Sequence, residues 1–200
     1  LEDDRRFQLD TVLEYFNVDV DRLWQEIIEA VNGLRSGHQG KPGMSESLFQ
    51  VLEKVRPQLI ISALRGNFAA QVQAHQHIVE YISKNDCKLY FLSSANVFDA
   101  YSKYPSYEND KTLSESVYGR LKIKIENMLL RLPKEKMAIL RVPMVFGNSS
   151  PRIKEIKQFI LENEPVEVFP NLILNVTNDD KLTQQIHYLI NRNKNGIYHL

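Results

Sequence analysis

The sequence predicts an α/β fold built on a doubly wound parallel sheet, and two observations support this prediction. From about residue 45, apolar runs of strand length alternate with longer stretches whose apolar residues recur at helical spacing. The short runs show little polar alternation, which is typical of strands covered on both faces. Strand–helix–strand alternation of this kind indicates parallel pairing. Because such sheets bind ligands beyond the carboxyl ends of their strands, we expect the functional site there.

The individual elements follow from the apolar spacing and from the residues that end each segment. Up to residue 147 the predicted elements are a helix at 45–57, a strand at 58–64, a helix at 69–85, a strand at 88–94, a helix at 116–132 and a strand at 138–147. Pro57 and Pro133 end two of these helices because proline has no N–H and clashes inside a helix. Further on we expect a helix, a short strand between prolines, a helix capped by Asp179 or Asp180, and a final strand at 197–200.

The first part of the chain carries weaker signals. A short strand is expected at 15–20 and a helix at 21–33, in which Trp24 is expected to be a core residue. A segment rich in glycine, serine and proline then predicts a flexible loop at about 33–47.

Composition and charge exclude several classes of protein. The 25 basic and 25 acidic residues cancel, so no net field would hold phosphate backbones or anionic lipid, and we expect neither a nucleic-acid partner nor a membrane. No apolar run reaches the roughly 18–20 residues that cross a bilayer. The acidic start does not resemble a signal peptide. The single cysteine, Cys87, indicates a reducing compartment, so a cytoplasmic location is expected.

A tyrosine and a lysine stand four residues apart at the start of the helix predicted at 116–132. Tyr118 and Lys122 therefore lie one turn apart on one helix face. An ammonium beside a phenol favours the phenolate and moves the pKa of a phenol from about 10 toward neutral pH, where general acid–base catalysis works best. Gly119 is expected to leave open space for a ligand beside the tyrosine. The alternative interpretation of the pair is an ordinary solvated helix face.

Three further features of this region bear on the interpretation. A second pair with the same spacing, Tyr107 and Lys111, lies in a predicted loop and has no fixed mutual geometry. Ser94, at the carboxyl end of a predicted strand, is a hydroxyl suited to holding a substrate oxygen. The stripe expected to form the core of the helix consists of Val117, Leu121, Ile125, Met128 and Leu132.

Four segments together resemble a known family. They are "FLSSANVFDA" (91–100), "YPSYEND" (104–110), "SVYGRLKIKIE" (116–126) and "ILRVPMVFG" (139–147). In this order and spacing they resemble the extended short-chain dehydrogenase/reductase family, and within it the dTDP-4-dehydrorhamnose reductase branch of sugar-nucleotide enzymes. The resemblance covers roughly residues 45–200 and implies a Rossmann-like fold that binds NADP or NAD.

The resemblance assigns roles to residues at matching positions. The catalytic residues would be Ser94, Tyr118 and Lys122. The cofactor-binding residues would be Asp19, facing the adenine, Ala63 and Leu64, lining the dinucleotide, and Tyr118 and Lys122, at the nicotinamide ribose. The substrate-binding residues would be Ser94, Asn96 and Met144, although Met144 stands where the family often has a polar or aromatic residue. No metal site is expected.

The chain departs from the family pattern at its start. The family opens with a strand and a glycine-rich turn that places pyrophosphate on a helix N-terminus. The glycines of "GHQGKPG" (37–43) do not fit that turn, because no apolar strand precedes them and a proline intervenes. The N-terminal phosphate-binding unit is therefore expected to be missing from this chain. Residues 1–147 would be a partial dinucleotide-binding domain, and 148–200 part of a smaller substrate-binding region.

The resemblance implies NAD(P)H-dependent reduction, or epimerisation, at the carbonyl of a nucleotide-sugar substrate. A homodimer is one option for the assembly. Two alternatives stay open. The first is a non-catalytic dinucleotide-binding subunit, similar to the regulatory subunit of methionine adenosyltransferase. The second is a scaffolding module that binds no nucleotide.

Several residues are expected to be structural. His75 and His77 are expected on the surface, since residues two apart on a helix point in different directions. Cys87 is expected to be an edge-packing thiol. Glu108 and Glu126 match positions of the family pattern, but an exposed structural role fits each equally well.

Overall fold

The computed structural model describes residues 44–101, 104–147, 150–166 and 173–200. In chain order the elements are α1 (Met44–Val55), β1 (Leu59–Ser62), α2 (Phe68–Lys84), β2 (Lys88–Ser94), a first 3-10 helix (Ala95–Phe98), α3 (Val117–Leu129), a second 3-10 helix (Lys134–Lys136), β3 (Met137–Val142), β4 (Met144–Phe146), α4 (Pro151–Glu162), β5 (Val176–Asn178), α5 (Asp179–Asn191) and β6 (Gly196–His199). The strand predicted at 15–20 with Asp19, and the helix at 21–33 with Trp24, lie outside the described residues. The loop predicted at about 33–47 does too, except for 44–47, which are helical and begin α1.

The chain divides into two compact units. The described part of the first unit comprises residues 44–58 and 64–87, and the second unit comprises 59–63 and 88–200. Inside the first unit, α1 packs against α2. The predicted division at residue 147, between a dinucleotide-binding domain and a substrate-side region, stays a prediction.

The histidine expected on the surface of α2 is buried. His75 has none of its surface exposed, so the expectation for this residue was wrong. Its Nδ1 lies 2.6 Å from the carbonyl oxygen of Gln71, one turn earlier. A carbonyl oxygen only accepts, so Nδ1 carries the proton and the buried ring is satisfied there. Cys87, near the end of this unit, is also buried.

The second unit is built on a parallel sheet with the strand order β1-β2-β3-β6. One face carries α5, where Tyr90, Leu140 and Leu189 form part of a buried apolar cluster. The Tyr90 hydroxyl lies 2.9 Å from the carbonyl oxygen of Lys194. The opposite face carries α3, whose Glu126 contacts Ser93 of β2. Parallel strands with helices on both faces confirm the predicted doubly wound α/β class.

The strand predicted at 138–147 is two strands in the structure. Pro143 separates β3 from β4, and β4 leaves the main sheet to pair in parallel with β5, with Met144 opposite Val176. Proline has no N–H to donate to a sheet ladder, so a continuous central strand cannot run through it. The apolar run at 138–147 predicted a single strand, and that prediction was wrong at Pro143.

Helix α5 has a different cap from either predicted residue. Asn178 is the cap, and its Oδ1 accepts a hydrogen bond of 2.8 Å from the Lys181 N–H. Its backbone is extended, as a cap requires, whereas Asp179 and Asp180 are already in the first helical turn. Their negative charges still favour the positive end of the helix dipole.

Candidate active site at the carboxyl end of β2

The predicted tyrosine–lysine pair is brought together on α3. This helix begins at Val117 after Ser116, whose Oγ accepts from the Gly119 N–H at 3.0 Å. Tyr118 in the first turn is 41% exposed, whereas Lys122 is only 4% exposed. The Lys122 Nζ lies 5.5 Å from the centroid of the Tyr118 ring. A lysine so deeply buried contradicts the alternative of an ordinary solvated face.

The ammonium of Lys122 is held at the carboxyl end of β2. Its Nζ donates a 3.0 Å hydrogen bond to the carbonyl oxygen of Leu92. It also lies 4.8 Å from the centroid of the Phe91 ring, where the negative face of the aromatic system attracts a cation. A buried charge requires such polar partners, and here they keep the ammonium beside the phenol.

Ser94 is the last residue of β2 and caps the first 3-10 helix. Its Oγ accepts from the Asn96 N–H at 3.2 Å and lies 3.2 Å from Asn96 Oδ1, to which it donates. Ser94 is largely buried, and the Asn96 side chain that shares this contact is exposed. The cap therefore holds the serine hydroxyl in place at the end of the strand.

The expectation that Gly119 leaves room for a ligand is wrong. A Cβ at this position would collide with the Ser114 side chain and with the carbonyl oxygen of Asn96. The missing side chain instead lets the first turn of α3 approach the 3-10 helix closely. This contact joins the turn that carries Tyr118 to the turn that begins with Ser94.

The loop between these two turns is closed by a carboxylate. Asp99 accepts from the Glu115 N–H at 2.7 Å and from Ser114 Oγ at 2.8 Å. Burial acts to raise the pKa of Asp99, but hydrogen bonds from Ser116, Glu115 and Ser114 outweigh it and lower that pKa. Asp99 thus caps the loop as an anion.

A row of polar side chains on three neighbouring strands packs against α3, and the sequence analysis did not predict it. Ser93, Arg141 and His199 are register partners on β2, β3 and β6. Glu126 of α3 lies against this row and is 2% exposed, and Arg141 is 3% exposed. The alternative of an exposed structural role for Glu126, left open by the sequence, does not hold because the side chain is buried. The signal available in the sequence was its position four residues after Lys122, on the same helix face.

The core face of α3 is rotated relative to the predicted stripe. Val117 is 61% exposed and does not belong to the core, so that prediction was wrong. The buried residues are Gly119, Leu121, Lys122, Ile125, Glu126 and Leu129. Two charged side chains thus replace apolar residues on this face, because each finds polar partners on the sheet.

The other predicted site residues lie at strand ends or outside the described chain. Ala63 directly follows β1 and is exposed, and Leu64, in the other unit, is 41% exposed. Met144 opens β4 and is 37% exposed. Tyr107 and Lys111 are both exposed in the loop region, away from any helix, as predicted.

Neither a metal cluster nor a membrane helix is found in the parts of the chain that the structure describes. There, no group of three or more His, Cys, Asp or Glu side chains is placed to hold a metal ion. No helix among the described residues combines the length and apolar character that a membrane span needs.

The parallel sheet, with a tyrosine–lysine pair where α3 meets the end of β2, defines a Rossmann-like α/β protein of the extended short-chain dehydrogenase/reductase type. A sequence profile described as the RmlD substrate binding domain matches residues 45–200. The chain belongs to this family, and the resemblance found in the sequence is confirmed. A search of curated proteins finds no match.

Solved structures support the same fold. A dTDP-4-dehydrorhamnose reductase from Clostridium acetobutylicum superposes with a TM-score of 0.69 at 17% identity, over 78% of this chain and 60% of that one. The reductase from Bacillus anthracis, in complex with NADP, superposes with a TM-score of 0.67 at 20% identity, over 78% of this chain and 60% of that one. A dTDP-glucose 4,6-dehydratase from the same organism, in complex with NAD, superposes with a TM-score of 0.67 at 16% identity, over 78% of this chain and 55% of that one. This chain thus spans about 60% of the length of the two reductases.

Proposed function

We propose that this chain carries the catalytic residues of a nicotinamide-dependent enzyme that reduces or epimerises a nucleotide sugar at a carbonyl group. One observation supports this most strongly: the buried ammonium of Lys122, held by the Leu92 carbonyl, lies beside the ring of the accessible Tyr118. A buried cation next to an exposed phenol is suited to proton transfer at the phenol oxygen. Membership of the RmlD substrate binding domain family supports the substrate class.

Each catalytic residue has a defined task in this proposal. Tyr118 donates a proton from Oη to the carbonyl oxygen of the substrate, or accepts one in the reverse direction. Lys122 stabilises the phenolate that remains, because a positive charge in a poorly solvated site acts strongly on a nearby anion. The Ser94 hydroxyl rotates from Asn96 Oδ1 to donate to the same substrate oxygen, which hydroxyl groups do readily. Exposed Asn96 and Met144 would contact the substrate.

NADP or NAD is the cofactor that fits these residues. The ammonium of Lys122 and the hydroxyl of Tyr118 are donors of the kind that ribose hydroxyls accept, so they would hold the nicotinamide ribose. Ala63, which directly follows β1, would line the dinucleotide. When bound, the nicotinamide supplies the hydride chemistry. The complexes of the two Bacillus anthracis proteins with NADP and NAD support this choice.

Replacement of Tyr118 tests the proposal. In the complete protein, turnover is followed as NADPH oxidation in the presence of dTDP- and UDP-linked ketosugars. We expect Tyr118→Phe to lower kcat by about 10²–10⁴-fold, the usual contribution of a general acid, and to leave NADPH affinity within a few-fold. Tyr107→Phe is the matched control, because it removes the same hydroxyl from the loop pair and should retain full turnover.

The outcomes separate the proposal from its alternatives. Full turnover by Tyr118→Phe would refute the role of the phenol. Binding of NADPH by the wild-type protein, without oxidation by any ketosugar, would favour a dinucleotide-binding regulatory subunit. No binding at all, measured by NADPH fluorescence, would favour a scaffolding module.

A further inference from the structure

We infer that Glu126 and Arg141 are positioning residues. They fix the translation and the rotation of α3, which carries Tyr118 and Lys122, relative to β2, which ends in Ser94. This inference rests on the proposed function for its catalytic consequence. Its structural basis is independent of that function, because it follows from the contacts of the two buried side chains.

The carboxylate of Glu126 connects α3 to two strands. It accepts from Ser93 Oγ at 2.5 Å, from Arg141 Nη2 at 2.8 Å and from Arg141 Nε at 3.2 Å. Ser93 lies on β2 and Arg141 on β3, and the two are register partners. A slide or rotation of α3 would break these directional bonds. The helix is therefore held where Ser93 directly precedes Ser94.

Glu126 lies on the same helix stripe as the proposed catalytic pair. It is one turn from Lys122 and two turns from Tyr118, on the side of α3 that faces the sheet. Because a helix is rigid over two turns, the position of Glu126 sets the positions of both other side chains. The contact of Gly119 with Asn96 adds a second fixed point at the opposite end of this segment.

The guanidinium of Arg141 extends the arrangement to the rest of the site. Its Nη1 donates to the Glu108 carbonyl at 3.0 Å and lies 3.3 Å from His199 Nε2. Its Cζ lies 4.8 Å from the centroid of Phe98, in the 3-10 helix that follows Ser94. The backbone N–H of His199 in turn donates to Glu108 Oε1 at 3.3 Å. One planar group thus joins α3, the 3-10 helix, β6 and the loop that carries Glu108.

The energetics of buried charge favour a positioning role over a purely stabilising one. Glu126 and Arg141 form an ion pair of 2.8 Å with 2% and 3% of their side chains exposed. Desolvation of two such charges offsets much of their attraction, so a buried pair often adds little stability over apolar residues of similar size. The two-pronged contact of an arginine with a carboxylate does supply a fixed geometry. The rate of proton transfer depends on that geometry, since a misplacement of about 1 Å can cost about 10²-fold.

Ser93→Ala is the primary test, because it removes one donor to Glu126 and leaves the ion pair intact. In the complete protein we expect kcat to fall by about tenfold, as positioning shifts of well under 1 Å allow, with KM within twofold. Backbone amides of residues 118–124 should exchange with deuterium faster than in the wild type. Ser83→Ala is the matched control, since Ser83 Oγ donates only to the Glu80 carbonyl at an exposed position in α2.

Arg141→Lys is the second variant, and it keeps the charge but loses the two-pronged contact. We expect its kcat to fall by about 10²-fold, because lysine cannot hold the carboxylate in a fixed plane. Faster exchange is expected at 118–124 and also in the loop around Glu108. If this variant does not fold, Ser93→Ala by itself still decides the question.

The two measurements distinguish failure of the inference from failure of the proposed function. Unchanged kcat and unchanged exchange at 118–124 in Ser93→Ala would overturn the inference. A lower melting temperature with wild-type kcat would also overturn it, because that result indicates a purely structural role. If the wild-type protein turns over no ketosugar, the proposed function fails, and the exchange rates alone decide whether the pair positions α3.

Discussion

Exposure differs sharply between the two members of the tyrosine–lysine pair. Tyr118 is 41% exposed and Lys122 is 4% exposed. In bulk water two unit charges about 4 Å apart attract by only about 1 kcal/mol, whereas burial of the ammonium strengthens its action on a neighbouring charge. The group that would meet the substrate is therefore accessible, and the group that would act on it electrostatically is not. This asymmetry is the residue-scale feature on which the proposed chemistry depends.

Gly119→Ala tests the close contact beside this pair. Alanine favours the helix by up to about 1 kcal/mol over glycine. The added Cβ would, however, meet the Asn96 carbonyl, a backbone group that cannot rotate away, and overpacking of this kind costs about 1–3 kcal/mol. We expect a net loss in the free energy of unfolding, measured with urea, and a lower kcat.

Lys124→Ala is the control for that substitution. Lys124 is exposed on the same helix, and changes at such positions stay within about 0.5 kcal/mol. Equal unfolding free energies for Gly119→Ala and the wild type would show that the 3-10 helix yields, and that the contact does not hold the two turns together.

At the scale of elements, two short features control how the chain leaves the main sheet and returns to it. Pro143 ends β3 and directs β4 to β5. Asn178 then ends β5 and begins α5, which packs on the face of Tyr90 and Leu140. Asp179, next in the chain, occupies the space that a side chain at Gly147 would need. The junction of β4, β5 and α5 is thus specified by single residues at element ends.

Asn178→Ala tests the cap of α5. Loss of the side-chain oxygen leaves the Lys181 N–H without its partner, and such changes cost about 1 kcal/mol. We expect this decrease in the free energy of unfolding from urea titrations. Asn178→Asp keeps an accepting oxygen and a favourable charge at the helix start, so it should match the wild type. Equal losses in both variants would mean that the cap oxygen is not the stabilising group.

At the scale of the whole molecule, formal charge is balanced, with 25 basic and 25 acidic residues. The shifted pKa values of His199, Glu108 and Asp99 predict how stability responds to pH. Burial lowers the pKa of His199 below 6.5, and nearby Arg141 lowers it further, against the raising effects of Glu108, Glu126 and Asp110. Arginine only donates, so His199 Nε2 must accept from Arg141 and the ring is neutral. The Glu108 carboxylate accepts hydrogen bonds from the backbone amides of Glu108 and His199, and these hold the pKa of Glu108 below 4.5.

These shifts predict a loss of stability on the acid side. Below pH 6.5 the unfolded chain binds a proton at His199 that the folded chain resists, so the free energy of unfolding falls as the pH drops toward the folded pKa. Asp99 and Glu108 lower the free energy of unfolding further at more acidic pH. Folding lowers the pKa of each carboxyl, so its stabilising contribution is lost as the pH falls through the folded pKa and the group is protonated.

Melting temperatures of His199→Gln and the wild type, measured from pH 8 to pH 5, test the first of these losses. We expect a flatter profile for the variant below pH 6.5 and parallel profiles above pH 7, where His199 is neutral in both states. Identical slopes over the acid range would show that His199 titrates alike in folded and unfolded protein.

The sequence by itself determined the local elements and the one site that depends on local spacing. Apolar periodicity located β2 at Lys88–Ser94 and α3 at Val117–Leu129, close to the predicted 88–94 and 116–132. The Tyr118–Lys122 pair needs only the helical repeat, which is a property of neighbouring residues.

Only the tertiary structure decided which polar groups lie together. Ser93 meets Glu126 across 33 residues, and Arg141 meets His199 across 58. Strand register and helix packing create these contacts, and neither of them can be read from the local patterns of a single sequence. The same reason explains the error at Gly119, because the Asn96 carbonyl that closes the space beside it belongs to another element. Periodicity is encoded between neighbours, whereas burial results from the contacts of the whole fold.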